Sequence, residues 1–416
     1  MSKCISIFRS PITLLSFVFI FGCQSKLKTN STEMNYEKGT FGYDKVFLQK
    51  HFKNTIILEN TIGGQAIIVS PELQGRVMTS TLGGDTGISF GWINYDLIES
   101  QIINPQMNAF GGEERFWLGP EGGQYGLYFP KADGFDFADW VVPPVIDIEP
   151  FEVVNKSENS VLFKKNTILS NYSGTTFEIE INREVILSSQ DDIFQRLGLK
   201  QENISAVAYQ TKNTVRNLGD LPWTEKTGAI SIWLLCMFNP SPQAVVVLPI
   251  VQGKDDVLGP RVNDNYFGKI SEDRLKITDK TIFFKADGKS RGKIGISPQR
   301  AEIFSGSYDG DNQILTILEI NQPNSTDKYV NSAWEIQQNP FSGDVINSYN
   351  DGPLENGDQL GPFYELESSS PALLLNPNES HQHIQHIYHF SGSVEVLSEI
   401  SQKLLGVSIT EIKETF

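Results

Sequence analysis

The chain has 416 residues and a formal net charge of −16 at pH 7, from 34 lysines and arginines against 50 aspartates and glutamates. This charge excludes a nucleic-acid-binding protein, which needs a positively charged footprint, and electrostatic docking on an anionic lipid surface. A neutral ligand such as a carbohydrate is compatible with it, and the 11% of aromatic residues suit stacking on sugar rings.

The N-terminus has the features of an export signal. Basic residues precede a short apolar segment, residues 11–22, that ends at Cys23, an order typical of secretory signals. The Ile-Phe-Gly-Cys ending is similar to a bacterial lipobox. We expect a signal peptide at residues 1–22, lipidation of Cys23 and a flexible tether over residues 23–42. The protein would then be lipid-anchored in the bacterial cell envelope, on the periplasmic side or at the cell surface. The alternative is an ordinary signal peptide that happens to contain a cysteine.

Most of the remaining chain has a strand-and-turn pattern. Short runs rich in Ile, Val, Phe and Thr are bounded by Gly, Pro, Asn and Asp, which predicts strands. These runs are residues 55–59, 65–70, 161–169, 176–187, 205–214, 229–238, 244–251 and 313–320. Residues 287–289 and 309–312 have the composition of hairpin turns. A helical apolar stripe occurs in residues 393–405.

The pattern predicts one all-β domain over residues 43–416. No internal repeat or linker divides this part, so we expect a large antiparallel β-sandwich with a short C-terminal helix. Cys236 lies in an apolar run, which predicts a buried, inert thiol. The domain would then be held together by its core, without a disulfide.

The first candidate binding segment is residues 108–129. It combines glycines, which allow close backbone approach, with acidic, basic and aromatic side chains that can hydrogen-bond to a sugar or stack on its ring. The candidate substrate-binding residues here are Glu114, Arg115, Trp117, Glu121 and Tyr125. The alternative is a structural loop with a Glu–Arg pair on the surface.

Two further segments contain clustered polar residues. Asp264 lies in residues 258–268, and Asn347 and Asp351 lie in residues 341–353. Such side chains can orient sugar hydroxyls, and we treat all three as candidate substrate-binding residues. The alternative is that they form ordinary turns, in which Asn and Asp are common.

Glu365 and Glu367 are the candidate catalytic carboxylates. They are two residues apart in a predicted strand, so they face the same side. Two ionised carboxylates in one site repel each other, which raises the pKa of one and suits general acid–base chemistry. The alternative is a solvated strand face.

Four of the five histidines occur within residues 381–389. On a strand, three of them share one face, and we take His383 as a third catalytic candidate. A metal site would need carboxylates to complete the ligand set, so we predict neither a metal nor another cofactor.

Several segments resemble aldose 1-epimerases, the galactose mutarotase-like proteins. The closing pattern of that family is an L-E element, a proline, an L-x-P-G-E turn and a T-x-Y-x-F strand. The matching segments here are residues 366–367, Pro371, 375–379 and 387–390, and residues 71–82 and 214–224 resemble the family's opening and central strands. The resemblance implies a supersandwich fold and acid–base chemistry at the anomeric carbon of a sugar.

The resemblance also implies residue roles. The glutamate of the L-E element removes the anomeric hydroxyl proton in the family, which carries over to Glu367, with Glu365 as its rival. The family's two histidines have no counterpart, because residues 222–229 contain none and residues 108–112 replace the L-H-G-G motif.

We therefore expect an extracytoplasmic carbohydrate-active protein of the epimerase type. One alternative is a non-catalytic glycan-binding lipoprotein of a carbohydrate uptake system, which the absent histidines favour. Another is a polysaccharide lyase or hydrolase, which would use paired carboxylates. Convergence of Glu114, Arg115, Glu367 and Asp351 in one pocket would favour catalysis.

Overall fold

The computed structural model describes residues 36–60, 63–130, 134–354 and 356–416. The predicted signal peptide and Cys23 lie outside these residues. Tyr36–Phe416 forms one compact unit. This unit begins before residue 43, because Thr40 caps helix α1 and Phe41 is buried. Among the helices of the described residues, none is long and apolar enough to cross a membrane.

The strands and helices account for most of the described chain. The strands are β1 (Ile56–Glu59), β2 (Ala66–Ser70), β3 (Arg76–Thr81), β4 (Arg115–Gly119), β5 (Glu152–Lys156), β6 (Ser160–Ser170), β7 (Thr176–Leu187), β8 (Ile204–Asn217), β9 (Ser231–Phe238), β10 (Ala244–Pro249), β11 (Leu275–Ile277), β12 (Thr281–Lys285), β13 (Gly292–Ile296), β14 (Phe304–Asp309), β15 (Ile314–Ile320), β16 (Ile346–Asn350), β17 (Tyr364–Ser369) and β18 (Ser380–Gly392). The α-helices are α1 (Phe41–His51), α2 (Tyr95–Ser100), α3 (Pro144–Asp147), α4 (Gln190–Leu197), α5 (Asp255–Leu258), α6 (Val394–Leu405) and α7 (Ile409–Lys413).

The strands form three antiparallel sheets. A ten-stranded sheet has the order β11-β12-β10-β14-β15-β18-β8-β7-β6-β5, and a five-stranded sheet has the order β13-β16-β17-β9-β4. Strands β1, β2 and β3 form a small third sheet. Apolar residues of the two large sheets share one core. The predicted all-β antiparallel sandwich is confirmed.

The two large sheets differ in how their faces are covered. In β7, buried and less buried residues alternate, as the sequence pattern predicts for a strand with one solvated face. In β9 and β4 every residue is buried, because loops cover the second face of the five-stranded sheet. Cys236 in β9 is fully buried, and burial raises the pKa of its thiol well above the ordinary value.

Helices cover part of the ten-stranded sheet's outer face. Helix α6 begins at the cap residue Ser393, so the predicted helix at residues 393–405 is confirmed. It packs with α4 and α7 against apolar residues of that sheet. The sequence pattern missed α4, which has only eight residues. The predicted turn at residues 309–312 joins β14 to β15. The predicted hairpin at residues 287–289 is wrong, because β12 and β13 belong to different sheets.

Candidate functional site

The five-stranded sheet turns one face away from the sandwich core. Cross-strand pairing places Arg115 opposite Leu235, Leu235 opposite Glu367, and Glu367 opposite Asn347. Residues that pair directly, or that are two apart in one strand, lie on the same face. The polar and aromatic residues of this face, called here the carboxylate face, include Arg115, Trp117, Trp233, Lys293, Asn347, Tyr349, Glu365 and Glu367.

Glu367 is fully buried on the carboxylate face. Its Oε2 accepts hydrogen bonds from Lys293 Nζ at 2.8 Å and from Trp233 Nε1 at 2.9 Å. Among the described residues, none hydrogen-bonds to its Oε1. One oxygen of this carboxylate is thus fixed by two donors, and the other retains its full capacity to accept hydrogen bonds.

Glu365 forms the second ion pair of the face. Arg115 Nη2 donates to its Oε1 at 2.5 Å, and the same guanidinium lies 4.7 Å from the centre of the Trp117 ring. Burial raises the pKa of Glu365 to about 7, with Arg115 acting against the rise and Glu367 adding to it. Glu365 can therefore exchange a proton near neutral pH.

Lys293 contributes a fixed positive charge. Burial lowers the pKa of its amine, but the negative charges of Glu367 and Glu121 outweigh burial, so the pKa lies above its ordinary value. Its Nζ lies 4.9 Å from the centre of the Trp233 ring, within reach of a cation–π interaction.

Three buried polar atoms on the carboxylate face have no partner among the described residues. They are Glu367 Oε1, Arg115 Nε and Trp117 Nε1, one acceptor and two donors. Native proteins pair almost all buried polar groups with protein, water or ligand. A hydroxyl is both donor and acceptor, so a ligand rich in hydroxyls matches this set.

Glu121 and Asp351 lie beside the carboxylate face. Glu121 accepts a hydrogen bond from Trp140 Nε1 at 2.8 Å. Asp351 accepts one from the Tyr349 hydroxyl at 2.6 Å. Burial raises the pKa of both carboxyls. Both candidates therefore belong to the surroundings of Glu365 and Glu367.

Asn347 binds a side chain from the loop before β11. Its Nδ2 donates to the Tyr266 hydroxyl at 3.0 Å, and that hydroxyl donates to Asp344 at 2.6 Å. The loop of Tyr266 thereby covers one edge of the carboxylate face.

Glu114 and His383 lie on the other side of the five-stranded sheet. Glu114 alternates with Arg115, and its oxygens accept hydrogen bonds from Arg183 at 2.8 Å and Gln385 at 2.7 Å. His383 shares a hydrogen bond of 2.8 Å with Ser368, and burial lowers the pKa of its imidazole to about 3. The structure therefore separates both residues from Glu365 and Glu367.

Tyr125 and Asp264 are held within surface loops. The Tyr125 hydroxyl donates to the carbonyl oxygen of Glu225 at 2.9 Å. Asp264 forms an ion pair with Lys269 at 2.5 Å. The sequence placed both among the binding candidates, and the structure gives them these local partners instead of a place on the carboxylate face.

Three residues of this region were not among the site residues predicted from the sequence, namely Lys293, Trp233 and Tyr266. Lys293 lies in a short strand with two glycines, where no strand was predicted. Trp233 lies in a predicted strand, but its apolar neighbours hide which face it occupies. Only pairing in the sheet brings Lys293 and Trp233 beside Glu367, and Tyr266 reaches the face from a loop through its hydrogen bond with Asn347.

A cavity of about 480 Å³ lies elsewhere, between α4 and the outer face of the ten-stranded sheet. Its charged and polar groups are paired, including Arg196 with Glu319 at 2.7 Å and Gln210 with His386 at 2.8 Å. None of its lining residues contains a buried polar atom without a partner. We therefore place the candidate site on the carboxylate face. Within the described residues, no group of three or more His, Cys, Asp or Glu side chains is arranged to hold a metal ion.

The family model described as "Family of unknown function (DUF6786)" matches residues 39–416. The chain belongs to this family. A search of curated proteins finds no match.

The chain is also similar to solved structures. One is a proposed aldose 1-epimerase from Escherichia coli K12, with 12% identity over 82% of this chain and 99% of that chain and a TM-score of 0.48. Another is a galactose mutarotase-like protein from Lactobacillus casei, with 11% identity over 81% of this chain and 100% of that chain and a TM-score of 0.44. A galactose mutarotase related enzyme from Lactobacillus acidophilus also matches, with 10% identity over 82% of this chain and 98% of that chain and a TM-score of 0.42. Their descriptions name the same kind of protein that the sequence motifs resemble. Their identities and TM-scores are too low to transfer an activity.

Proposed function

We propose that the protein binds a sugar on the carboxylate face and moves protons at its anomeric carbon, as an isomerase of the epimerase type. The proposal rests on one observation: Glu367 has one oxygen fixed by Lys293 and Trp233 and the other without a partner, beside the protonatable Glu365. Two carboxyl groups in different environments are the usual basis of paired acid and base roles.

The proposed reaction needs only proton transfer. The Glu367 carboxylate removes the proton of the anomeric hydroxyl while protonated Glu365 gives its proton to the ring oxygen. The bond between the anomeric carbon and the ring oxygen breaks, and the open-chain aldehyde forms. Rotation about the adjacent carbon–carbon bond and the reverse transfers close the ring with the opposite configuration. Both carboxyl groups end in their starting states.

Glu365 takes the place of a histidine in this scheme. All five histidines of the chain lie in α1 or β18, and neither element belongs to the five-stranded sheet. Glu365 is two residues from Glu367, about 6.6 Å along the strand, a spacing that suits two atoms of one sugar ring. Arg115 and Lys293 balance the negative charge of the two carboxylates.

Exchange between sugar anomers, followed by NMR, tests the proposal. Glucose, galactose, mannose and xylose would be compared with wild type, Glu367→Gln and Glu114→Gln. The two variants make the same chemical change on opposite faces of one sheet. We expect wild type and Glu114→Gln to accelerate exchange of at least one sugar and Glu367→Gln to lose the effect. With both variants shown to be folded at the assay temperature by their unfolding midpoints, equal activity of the two would contradict the proposed role of Glu367.

A non-catalytic glycan-binding protein is the second candidate. It is favoured by the aromatic lining of the face, where Trp117 and Trp233 pack edge to face with centroids 5.6 Å apart. Binding of a sugar by calorimetry, without accelerated exchange by wild type, would support this candidate and exclude the isomerase. A polysaccharide lyase or hydrolase would instead release new reducing ends from a polymer.

We further propose that the protein is lipid-anchored in the cell envelope through Cys23. The support is the lipobox-like sequence before this residue. Expression of wild type and Cys23→Ser, followed by membrane fractionation and mass spectrometry of the N-terminus, tests it. Recovery of unmodified Cys23 in the wild-type protein would exclude the anchor.

A further inference from the structure

Three aromatic rings lie together at the surface beside Glu121. The rings of Phe137, Trp140 and Trp334 have centroid separations of 6.0, 6.0 and 6.4 Å. Their planes differ by 14°, 25° and 12° for the same three pairs. The three rings are therefore nearly parallel and nearly equidistant.

These three rings, called here the platform, pack on one another as parallel, offset rings. In a column of three rings, the outer two are about twice as far apart as neighbours are. Here all three separations are nearly equal, so each ring contacts the other two and the group is compact.

The platform is partly open to solvent. Phe137 is 62% exposed, whereas Trp140 is only 7% exposed and anchors the group. Ile336, two residues after Trp334, is 63% exposed. Exposed apolar side chains that lie near one another often mark a binding site.

A series of ring contacts connects the platform to the carboxylate face. Trp140 lies 6.0 Å from Tyr128 in a nearly parallel arrangement, and Tyr128 lies 5.7 Å from Trp117. Trp117 contacts Trp233, whose Nε1 donates to Glu367. The platform also contacts the site directly, because Trp140 donates to Glu121.

We propose that the platform binds a further sugar unit of a glycan chain whose terminal unit occupies the carboxylate face. The ligand is then a neutral oligosaccharide and not a free monosaccharide. The exposed Phe137 ring matches the C–H face of a pyranose ring, and its apolar character suits a ligand without charge. This inference rests on the proposed function, because it assigns the remainder of the ligand bound at Glu367.

Chain-length dependence of binding tests the inference. The probes are glucose, mannose, galactose and xylose and the linear tetrasaccharides of each, titrated by calorimetry into wild type, Phe137→Ala, Phe137→Tyr and Leu221→Ala. Leu221 is 76% exposed and lies in the turn after β8, so it is a matched surface control. We expect one tetrasaccharide to bind wild type about tenfold more tightly than its monosaccharide.

Phe137→Ala should remove this advantage and leave monosaccharide affinity unchanged, whereas Phe137→Tyr and Leu221→Ala should retain it. Trp334→Ala, checked for folding by its unfolding midpoint, should repeat the loss. Monosaccharide binding without a chain-length advantage in wild type, or an advantage that survives both alanine variants, overturns the platform and leaves the proposed function standing. Failure of every sugar to bind overturns both.

Discussion

The two faces of the five-stranded sheet contain two buried glutamates with different environments. Glu114 and Glu367 are both fully buried, and each pairs with a cation. Both oxygens of Glu114 have protein partners, Arg183 and Gln385. In Glu367, one oxygen has two partners and the other has none among the described residues.

This difference separates a structural carboxylate from a candidate catalytic one. Burial of a charge is costly unless its hydrogen-bonding capacity is satisfied. Glu114 meets that condition within the protein, so its network can stabilise the sandwich. Glu367 does not, so its remaining oxygen is suited to a ligand. Burial alone would not distinguish the two residues.

The largest expected effect is on catalysis at Glu367. Glu367→Gln keeps the shape of the side chain but removes the base, so anomer exchange should fall by about 10²–10⁴-fold, the usual contribution of general acid–base catalysis. Exchange NMR at saturating sugar measures this loss. The unfolding free energy of Glu367→Gln, measured by urea titration, should differ from that of wild type by less than the unfolding free energy of Glu114→Gln does. A larger loss of stability in Glu367→Gln than in Glu114→Gln would contradict the assignment of Glu114 as the structural carboxylate.

The next effect is on stability at Glu114. Glu114→Gln places an N–H group where Arg183 or Gln385 donates, and leaves the Arg183 charge without its carboxylate. Loss of one partner of a buried ion pair costs about 3–5 kcal/mol of unfolding free energy. Urea denaturation measures the loss. A variant as stable as wild type would show that this network contributes no net stability.

Substitution of Ser368, which lies on the same side of the five-stranded sheet as Glu114, should have a smaller effect on stability. Its hydroxyl bonds to His383 at 2.8 Å and to Gln385 at 2.6 Å. Ser368→Ala leaves both partners buried and incompletely bonded, a loss of about 1–3 kcal/mol. Ser368→Thr keeps the hydroxyl and is the control variant, so the loss of the hydroxyl's hydrogen bonds is tested by comparing the two variants. Anomer exchange by the folded alanine variant should stay at the wild-type rate, and a large drop would link His383 to the chemistry.

The last effect, and the smallest over any single pH unit, is a pH dependence of stability from Glu365. Its pKa is raised from 4.5 to about 7 on folding, so the folded state binds more protons than the unfolded state between these values. Stability from this group is therefore present below pH 4.5 and lost as the pH rises toward 7, by up to about 1.4 kcal/mol per pH unit. The difference in unfolding free energy between wild type and Glu365→Gln, measured by urea titration from pH 4.5 to 8, isolates the contribution of Glu365. A difference independent of pH would exclude the raised pKa.

Local patterns in the sequence predicted much of the fold. Alternation over residues 176–187 marks β7, and the apolar stripe of residues 393–405 marks α6. The period of two also placed Glu365 and Glu367 on one face, as the register of β17 with β16 shows. These features depend on neighbours along the chain, so a single sequence contains them.

The composition of the site depended on contacts between distant segments. Arg115 and Glu365 are 250 positions apart, and Lys293 and Glu367 are 74 apart, so no local pattern predicts either pair. Sequence proximity even misplaced Glu114, because adjacent residues along an extended chain face opposite sides. It also misplaced His383, because β18 belongs to the ten-stranded sheet. The sequence by itself determined the strand periodicity, the acidic charge and the two carboxylates on one face. Strand order and register alone decided which distant cations and rings surround them, since pairing between strands is set by tertiary packing.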